Sequence, residues 1–238
     1  MTGVVRTEGL TRVLPGEAPV TLVEGIDLEI AKGEFAAIMG PSGSGKSSLL
    51  YLLGLLDMPT GGRIFIDGAD TAGLGEDELA ALRLRKLGFV FQFHFLLAEF
   101  TALDNVCLPM RKLGLLSEEE AVANGLRLLD ALGLKKHAGK RPGQMSGGER
   151  QRVAVARALA NDPIIILADE PSGSLDTKAS ANLRAIFQDL ARVEKRTIVV
   201  VTHDPVFAKA ADRRIFLVDG RLAAPEKAAE FFGTGVRP

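Results

Sequence analysis

The segment GPSGSGKS, from Gly40 to Ser47, constrains the fold of this chain more than any other stretch. It follows the apolar run EFAAIMG, which is typical of a strand, and precedes SLLYLLGLL, which is typical of a helix. Glycines at positions 40, 43 and 45 let the backbone turn closely around an anion, so that successive N–H groups converge on it. The following helix adds its dipole. The segment predicts a binding loop for a nucleoside triphosphate.

The side chains of this phosphate loop have separate expected roles. We expect the Lys46 amine to reach the outer phosphates and the Ser47 hydroxyl to bind Mg²⁺. The full set of residues expected to contact the nucleotide is Gly40, Pro41, Ser42, Gly43, Ser44, Gly45, Lys46, Ser47 and Ser48. The alternative, a flexible Gly/Ser turn, is disfavoured because both the complete pattern and its strand–loop–helix context agree.

Two carboxylates follow a later apolar strand, in the segment IIILADEP. Neighbouring residues of a strand point to opposite sides. We therefore expect Asp169 to hold Mg²⁺, usually through water, and Glu170 to act as general base toward the attacking water. The alternative is an acidic turn. His203 ends the next apolar strand, TIVVVTHD, and is expected near the γ-phosphate, with a purely structural histidine as the alternative.

Apolar patterning predicts an α/β fold. The runs IIILA and TIVVV are nearly continuous, as in parallel strands covered by helices on both faces. FLVDGRL predicts a hairpin through Asp219-Gly220. Ser117 and Glu120 form a capping box that predicts a helix start. A second helix is predicted from the spacing of Leu183, Ile186, Phe187 and Leu190.

Composition limits the partners and the compartment. The 238 residues suit one large domain, and the formal net charge of −1 gives no support to a nucleic-acid partner. The longest apolar runs are far shorter than the roughly 18–20 residues of a membrane helix. The single cysteine, Cys107, allows no internal disulfide, fits a reducing cytoplasm and is expected to be a buried structural thiol.

A third motif, MSGGERQRVAVARAL, spans Met145–Leu159 and is here named the signature segment. It resembles the signature of ATP-binding cassette (ABC) ATPases, and with SGSLD (172–176) the likeness extends along the whole chain. This resemblance implies a phosphate-loop (P-loop) NTPase core of the RecA-like kind, with an N-terminal antiparallel β subdomain and an inserted α-helical subdomain carrying the signature. The corresponding boundaries are a single domain at 1–238, with the core at about 1–91 and 162–238 and the helical subdomain at about 92–161.

The resemblance also implies ATP and Mg²⁺ as ligands and a head-to-tail homodimer that encloses two ATP molecules. Ser146, Gly147 and Gly148 of one subunit would close over the γ-phosphate held by the other, and a helix N-terminus suits such an anion. Asp176 would lie at the seam between the subunits. Gln92 matches the glutamine that contacts Mg²⁺ and the attacking water in this family, and an amide can donate and accept at once.

Some positions depart from the family pattern. Met145 and Glu149 replace the leucine and glutamine of the commonest signature, and both replacements are tolerated. Family members usually carry an aromatic residue after the first strand to stack on adenine, but LTRVLPGEAPV has none and offers Val13 or Leu14 instead. We therefore expect phosphate chemistry to be preserved and the preference for adenine over guanine to be weakened.

An aromatic run joins the two predicted subdomains. Phe89, Phe91, Phe93 and Phe95 alternate with Gln92 and His94, which predicts a strand with Phe89, Phe91 and Phe93 in the core. The apolar residues that follow, Phe95, Leu96, Leu97 and Phe100, are expected either to contact a partner or to pack inside the helical subdomain.

FQFHFLLAEFTALDNV is similar to the corresponding run in the ATPases of lipoprotein-releasing systems, and this favours a partner. Macrolide-exporter and cell-division ATPases are also similar. The resemblance implies an ATPase, peripheral on the cytoplasmic face of the inner membrane, that contacts integral membrane permease subunits through Gln92–Val106. Lipoprotein release is the expected function, and a macrolide-exporter-type efflux pump or a cell-division-type mechanotransmission complex is the alternative. ABC ATPases that act on nucleic acid or ribosomes fit less well, because they carry a long coiled coil or two fused cassettes.

Overall fold

The computed structural model describes residues 3–223 and contains two β-sheets. The strands are β1 (Val5–Leu14), β2 (Val20–Ile30), β3 (Phe35–Met39), β4 (Gly61–Ile66), β5 (Ala69–Asp70), β6 (Leu87–Phe91), β7 (Ile165–Asp169), β8 (Thr197–Val201), β9 (Arg213–Val218) and β10 (Arg221–Leu222). The helices are α1 (Lys46–Leu53), α2 (Glu76–Lys86), α3 (Ala102–Leu113), α4 (Glu118–Ala131), α5 (Gly147–Leu159), α6 (Thr177–Arg192) and α7 (Pro205–Ala208).

The larger sheet has the order β10-β9-β3-β8-β7-β6, and its strands are parallel except β10. Both faces are buried. In β3, Ala36 and Ile38 face one core cluster together with α1, whereas Phe35, Ala37 and Met39 face a second cluster together with α6. The strands of this sheet are apolar at nearly every position because both of their faces are covered, by helices or by the smaller sheet.

The smaller sheet is antiparallel, with the order β2-β1-β4-β5. It packs its buried side chains, among them Val5, Ile26 and Ile64, into the same cluster as α1. A third cluster joins α3, α4 and α5, and it contains Cys107, which is fully buried as predicted. Burial raises the pKa of the Cys107 thiol. The predicted α/β class, with its antiparallel sheet and inserted helices, is confirmed.

Local sequence signals set several of these boundaries. The Ser117 hydroxyl accepts a hydrogen bond from the Glu120 N–H at the start of α4, as the capping box predicts. Asp219 and Gly220 both have positive φ, 49° and 76°, which is the backbone that the predicted hairpin between β9 and β10 requires. Leu183, Phe187 and Leu190 lie on the buried face of α6.

The predicted aromatic strand is wrong beyond Phe91. β6 ends at Phe91, and Phe93 is 68% exposed instead of lying in the core. The reason is a turn: His94 and Phe95 have φ values of 56° and 48°, which no strand allows. Phe89 does pack against the core, as predicted. Among residues 3–223, none of the helices has both the length and the apolar character needed to span a bilayer.

Candidate functional site

The phosphate loop connects β3 to α1, and the backbones of β2 and β9 pack closely against it. A Cβ atom on Gly40 would lie 2.1 Å from the Leu217 carbonyl oxygen, and one on Gly45 would lie 2.1 Å from the Leu22 carbonyl oxygen. Gly45 also has a φ of 93° and caps α1. Glycine is therefore required at both positions by the close approach of neighbouring backbone, which fixes the loop for an anion.

The Lys46 amine lies inside this loop. It donates hydrogen bonds to the carbonyl oxygens of Gly40 at 3.0 Å and Pro41 at 2.7 Å. Burial lowers the pKa of Lys46, and the charges of Glu170 and Asp169 oppose that shift. The cation is thus held among the loop carbonyls beside two carboxylates, where the outer phosphates of a nucleotide would meet it.

The residues present fit a magnesium site. The Ser47 hydroxyl donates to Asp169 Oδ1 at 3.0 Å, so a hydroxyl and a carboxylate converge at the start of α1. Oxygen ligands of this kind suit Mg²⁺, which is usually bound by one or two carboxylates together with substrate phosphates. Within residues 3–223 there is no group of three or more His, Cys, Asp or Glu side chains that could hold a metal by itself. When bound, Mg²⁺ neutralises charge on the transferred phosphate.

Glu170 and His203 form a pair at the adjoining strand ends. Glu170 Oε1 lies 2.8 Å from the ring nitrogen Nδ1 of His203, and the main-chain N–H of His203 donates to Glu170 Oε2 at 3.4 Å. Glu170 has a φ of 44°, a strained conformation that occurs most often at functional sites. The Glu170 side chain is 18% exposed and the His203 side chain 75% exposed. The carboxylate is therefore oriented by a neighbour yet open to a substrate water.

Gln92 follows the last residue of β6 and lies against the loop after Glu170. A Cβ atom on Gly173 would be 2.9 Å from Gln92 Nε2, so the amide occupies the space that Gly173 leaves. The Ser174 hydroxyl donates to the main-chain carbonyl oxygen of Gln92 at 3.1 Å. β6 pairs with β7 so that Phe91 lies opposite Asp169, which brings Gln92 to the same edge of the sheet as the acidic pair.

The signature residues lie at a second surface, away from the phosphate loop. Ser146 caps α5, and its hydroxyl accepts from the Glu149 N–H at 3.3 Å, while Glu149 Oε2 accepts from the Ser146 N–H at 2.7 Å. Asp176 caps α6 through the Ala179 N–H at 2.8 Å. Both caps border one cavity of about 260 Å³, which is lined by Ser146, Gly147, Gly148, Arg152, Asp176 and Lys178. None of residues 40–48 lines this cavity.

Three residues near these sites were not predicted from the sequence. Arg152 and Lys178 add positive charge to the signature cavity. Tyr51 lies one helical turn after Ser47 on α1, with its ring edge-on to Phe91 at 6.4 Å. Burial, the charge of Asp169 and a hydrogen bond to that carboxylate raise the pKa of Tyr51. The four-residue spacing from Ser47 was the available signal for Tyr51.

No aromatic side chain replaces the missing adenine platform in the stretch after β1. Leu14 pairs with Val20 across β1 and β2, and the two side chains are 39% and 54% exposed. β2 also contributes the Leu22 carbonyl that touches Gly45, so this apolar edge belongs to the strand that borders the phosphate loop. Val13 is the other residue expected there and is half-buried.

Comparison with known proteins identifies the family. The ABC transporter family model matches residues 23–173. The lipoprotein-releasing system ATP-binding protein LolD of Bacteroides fragilis is 48% identical over 218 residues, covering 92% of this chain and 99% of that protein. LolD of Aquifex aeolicus is 46% identical over 224 residues, covering 93% and 97%. The macrolide export ATP-binding/permease protein MacB 1/2 of Paracoccus denitrificans is 47% identical over 224 residues, covering 94% of this chain and 33% of that protein.

Solved structures agree with the sequence relatives. The ATP-binding cassette MJ0796, in a dimeric post-hydrolysis state bound to ADP and Pi, superposes with a TM-score of 0.86 at 42% identity, covering 92% of this chain and 97% of that one. A second dimeric structure of the same bacterial ABC transporter cassette gives the same values. The chain belongs to the ABC transporter family and is one of its ATP-hydrolysing cassettes.

Proposed function

We propose that this chain is the ATP-hydrolysing subunit of a membrane transport complex of the lipoprotein-releasing type. The observation that carries the proposal is the course of the chain at Gln92. The strand end that brings Gln92 to the acidic pair continues directly into an exposed apolar segment. A site for ATP chemistry and a surface for a partner are thus adjacent in one stretch. Similarity to LolD proteins supports lipoprotein release.

In the proposed reaction the Glu170 carboxylate accepts a proton from the attacking water. His203 holds that carboxylate through Nδ1, which leaves its own Nε2 available toward the γ-phosphate. The Lys46 amine exchanges the Gly40 and Pro41 carbonyls for phosphate oxygens. Gln92, at the same edge of the sheet, orients the water, with Ser47 and Asp169 as the metal-binding oxygens.

The proposed active unit is a head-to-tail dimer of two copies of this chain. The phosphate loop and the signature cavity do not share lining residues, so one copy presents two anion-binding surfaces that serve separate ATP molecules. Arg152 and Lys178 supply charge to the second surface. The dimeric state of the MJ0796 cassette supports this arrangement. Asp176, which borders the signature cavity, is proposed to lie at the seam.

The proposed surface for the permease surrounds the segment Gln92–Val106. Phe93 is 68% exposed, Phe95 62%, and Leu97 and Phe100 each 39%, whereas Leu96 packs into the helical cluster. Exposed apolar side chains this close together favour a protein partner. Next to them lies a cavity of about 350 Å³ between α2, β6 and α5. The chain would then sit on the cytoplasmic face of the inner membrane, held there by its partner.

Leu97→Asp tests this surface with little risk to the fold. Asn105 holds Leu97 through the backbone, accepting from its N–H at 2.8 Å and donating to its carbonyl at 3.1 Å, so replacing the side chain leaves the segment anchored. We expect capture of the chain by its membrane complex to fall about tenfold, the loss typical of one central apolar contact. ATP hydrolysis by the isolated chain should stay within twofold. Val193→Asp, at a side chain that is 75% exposed on α6's end, is the matched control.

Gly173→Ala tests the placement of Gln92. The added methyl would lie 2.9 Å from the Gln92 amide nitrogen, a flexible side-chain end, and 3.3 Å from the Glu170 main-chain carbonyl oxygen. Gly173 does not need a left-handed backbone. Stability should therefore change by less than about 1 kcal/mol, whereas kcat should fall about 10- to 100-fold because the amide is displaced from the water. Steady-state kinetics and thermal unfolding on the same sample measure both. A wild-type kcat would mean that Gln92 does not act in this position.

Depletion of the chain in its own cell separates lipoprotein release from the related functions. The proposal predicts that outer-membrane lipoproteins accumulate in the inner membrane within a few generations, as measured by membrane fractionation. Increased macrolide sensitivity with normal lipoprotein location would instead support an exporter of the MacB type, which the 47% identity to MacB makes the second candidate. A division defect with neither change would point to a mechanotransmission role.

A further inference from the structure

Arg157, on the signature helix α5, binds the backbone that follows Gln92. Its Nη2 donates to the His94 carbonyl oxygen at 2.6 Å, and its Nη1 donates to the Phe95 carbonyl oxygen at 2.7 Å. Burial lowers the pKa of the Arg157 guanidinium. Within the described residues no carboxylate forms an ion pair with it. The guanidinium therefore serves the main chain of this one turn.

The turn that Arg157 binds is strained. His94 and Phe95 both have left-handed backbones, at φ 56° and 48°, and neither is a glycine. Such conformations persist only where the surroundings hold them. The Phe95 ring lies edge-on to Phe91 at 5.3 Å, which packs the turn against the end of β6. Main-chain bonds also close the turn, from the His94 N–H to the Phe91 carbonyl at 3.3 Å and from the Phe95 N–H to the Phe93 carbonyl at 2.5 Å. The two charge-assisted bonds from Arg157 are the ones that tie this turn to α5.

A second side chain of α5 holds the other side of Gln92. Gln151 is fully buried, and its Nε2 donates to the Phe91 carbonyl oxygen at 3.2 Å. The main-chain carbonyls of Phe91, His94 and Phe95, which flank Gln92, thus all accept hydrogen bonds from α5. α5 begins at the signature residue Ser146. The position of α5 and the position of Gln92 are therefore coupled through these three hydrogen bonds.

We propose that Arg157 is a positioning residue for ATP hydrolysis, which acts by fixing the turn after Gln92 to the signature helix. The proposal rests on the assigned role of Gln92 at the reacting water. Closure of a second copy on Ser146 would move α5, and Arg157 and Gln151 would carry that movement to the Gln92 amide. Hydrolysis would then depend on engagement of the signature segment even though α5 does not contact the nucleotide of its own subunit.

A double-mutant cycle on the isolated chain tests this coupling. Arg157→Lys keeps the charge but has a single nitrogen, which cannot match the two-nitrogen fork. We expect kcat to fall about 10- to 100-fold, while the KM for ATP stays within twofold because the phosphate loop is untouched. In a Gln92→Ala background the same substitution should change kcat by less than twofold. Arg111→Lys is the matched control, since its guanidinium pairs with Glu118 and Asp104 at the surface of α3.

A readout that needs no nucleotide accompanies the kinetics. Amide hydrogen exchange at residues 93–97 should be about tenfold faster in Arg157→Lys and unchanged in Arg111→Lys. Gln151→Leu carries the same kinetic expectation and is used if Arg157→Lys does not fold. Equal losses of kcat in the wild-type and Gln92→Ala backgrounds would overturn the proposal. If Gln92→Ala alone leaves kcat at the wild-type value, the role of Gln92 is wrong, and the inference fails with it for that separate reason.

Discussion

Replacing Glu170 with glutamine should lower the turnover of ATP about 10²- to 10⁴-fold, the usual contribution of a general base. Glutamine has nearly the same shape and can still accept a hydrogen bond from His203, so the pair at 2.8 Å need not come apart. It cannot take a proton from water. The affinity for ATP should stay within about threefold, because Lys46 and the loop backbone are unchanged.

The measurement is single-turnover hydrolysis together with equilibrium binding of ATP to the same preparation. Glu194→Gln is the control, because that carboxylate is exposed, forms an ion pair with Arg196 at 3.5 Å and lies after α6, away from the phosphate loop. If Glu170→Gln hydrolyses ATP at close to the wild-type rate, another group is the base. His203, which is bonded to Glu170, would be examined next.

Replacing Lys46 with methionine should have the opposite pattern, a loss of binding. Methionine keeps the length of the side chain but removes the cation that the loop presents to the outer phosphates. Charge-assisted hydrogen bonds contribute roughly 1.5–3 kcal/mol each, so ATP affinity should fall about 10²-fold. Stability should change little, because the amine bonds that are lost are those to the Gly40 and Pro41 carbonyls.

Isothermal titration of ATP into the purified variant measures this loss. Lys86→Met is the matched control, since the Lys86 amine forms an exposed ion pair with Asp67 at 2.9 Å, away from the phosphate loop. Unchanged affinity in Lys46→Met would mean that the nucleotide is not bound at this loop. Together the Glu170 and Lys46 variants separate catalysis from binding within one site.

The parts of the site that could be predicted from the sequence are those in which a local motif and the tertiary contacts require the same residue. The phosphate loop is specified by glycines that neighbouring carbonyls of Leu22 and Leu217 leave no room to replace. Asp169 was predicted from the apolar strand that ends there, and the parallel sheet then places it beside Ser47. In these cases periodicity and turn chemistry agree with the tertiary structure.

What the sequence did not predict depends on contacts between distant segments. The alternating aromatics at 89–95 have a strand pattern, but Arg157, some sixty residues later, binds the turn at His94 and Phe95 and ends the strand. No local pattern encodes that bond. The space for the Gln92 amide likewise depends on Gly173. Glycine is needed there because a Cβ atom would crowd the amide, and not because the backbone is left-handed. Tertiary restraint overrides strand propensity here.

Purification of the tagged chain from detergent-solubilised membranes, followed by identification of the proteins bound to it, tests the central claim most directly. We predict a stoichiometric complex with an integral membrane permease that bears a large periplasmic domain, and a loss of about tenfold in recovered permease with Leu97→Asp. Recovery of ribosomes or DNA alone, with no membrane subunit, would contradict the assignment of this ATPase to a transport complex.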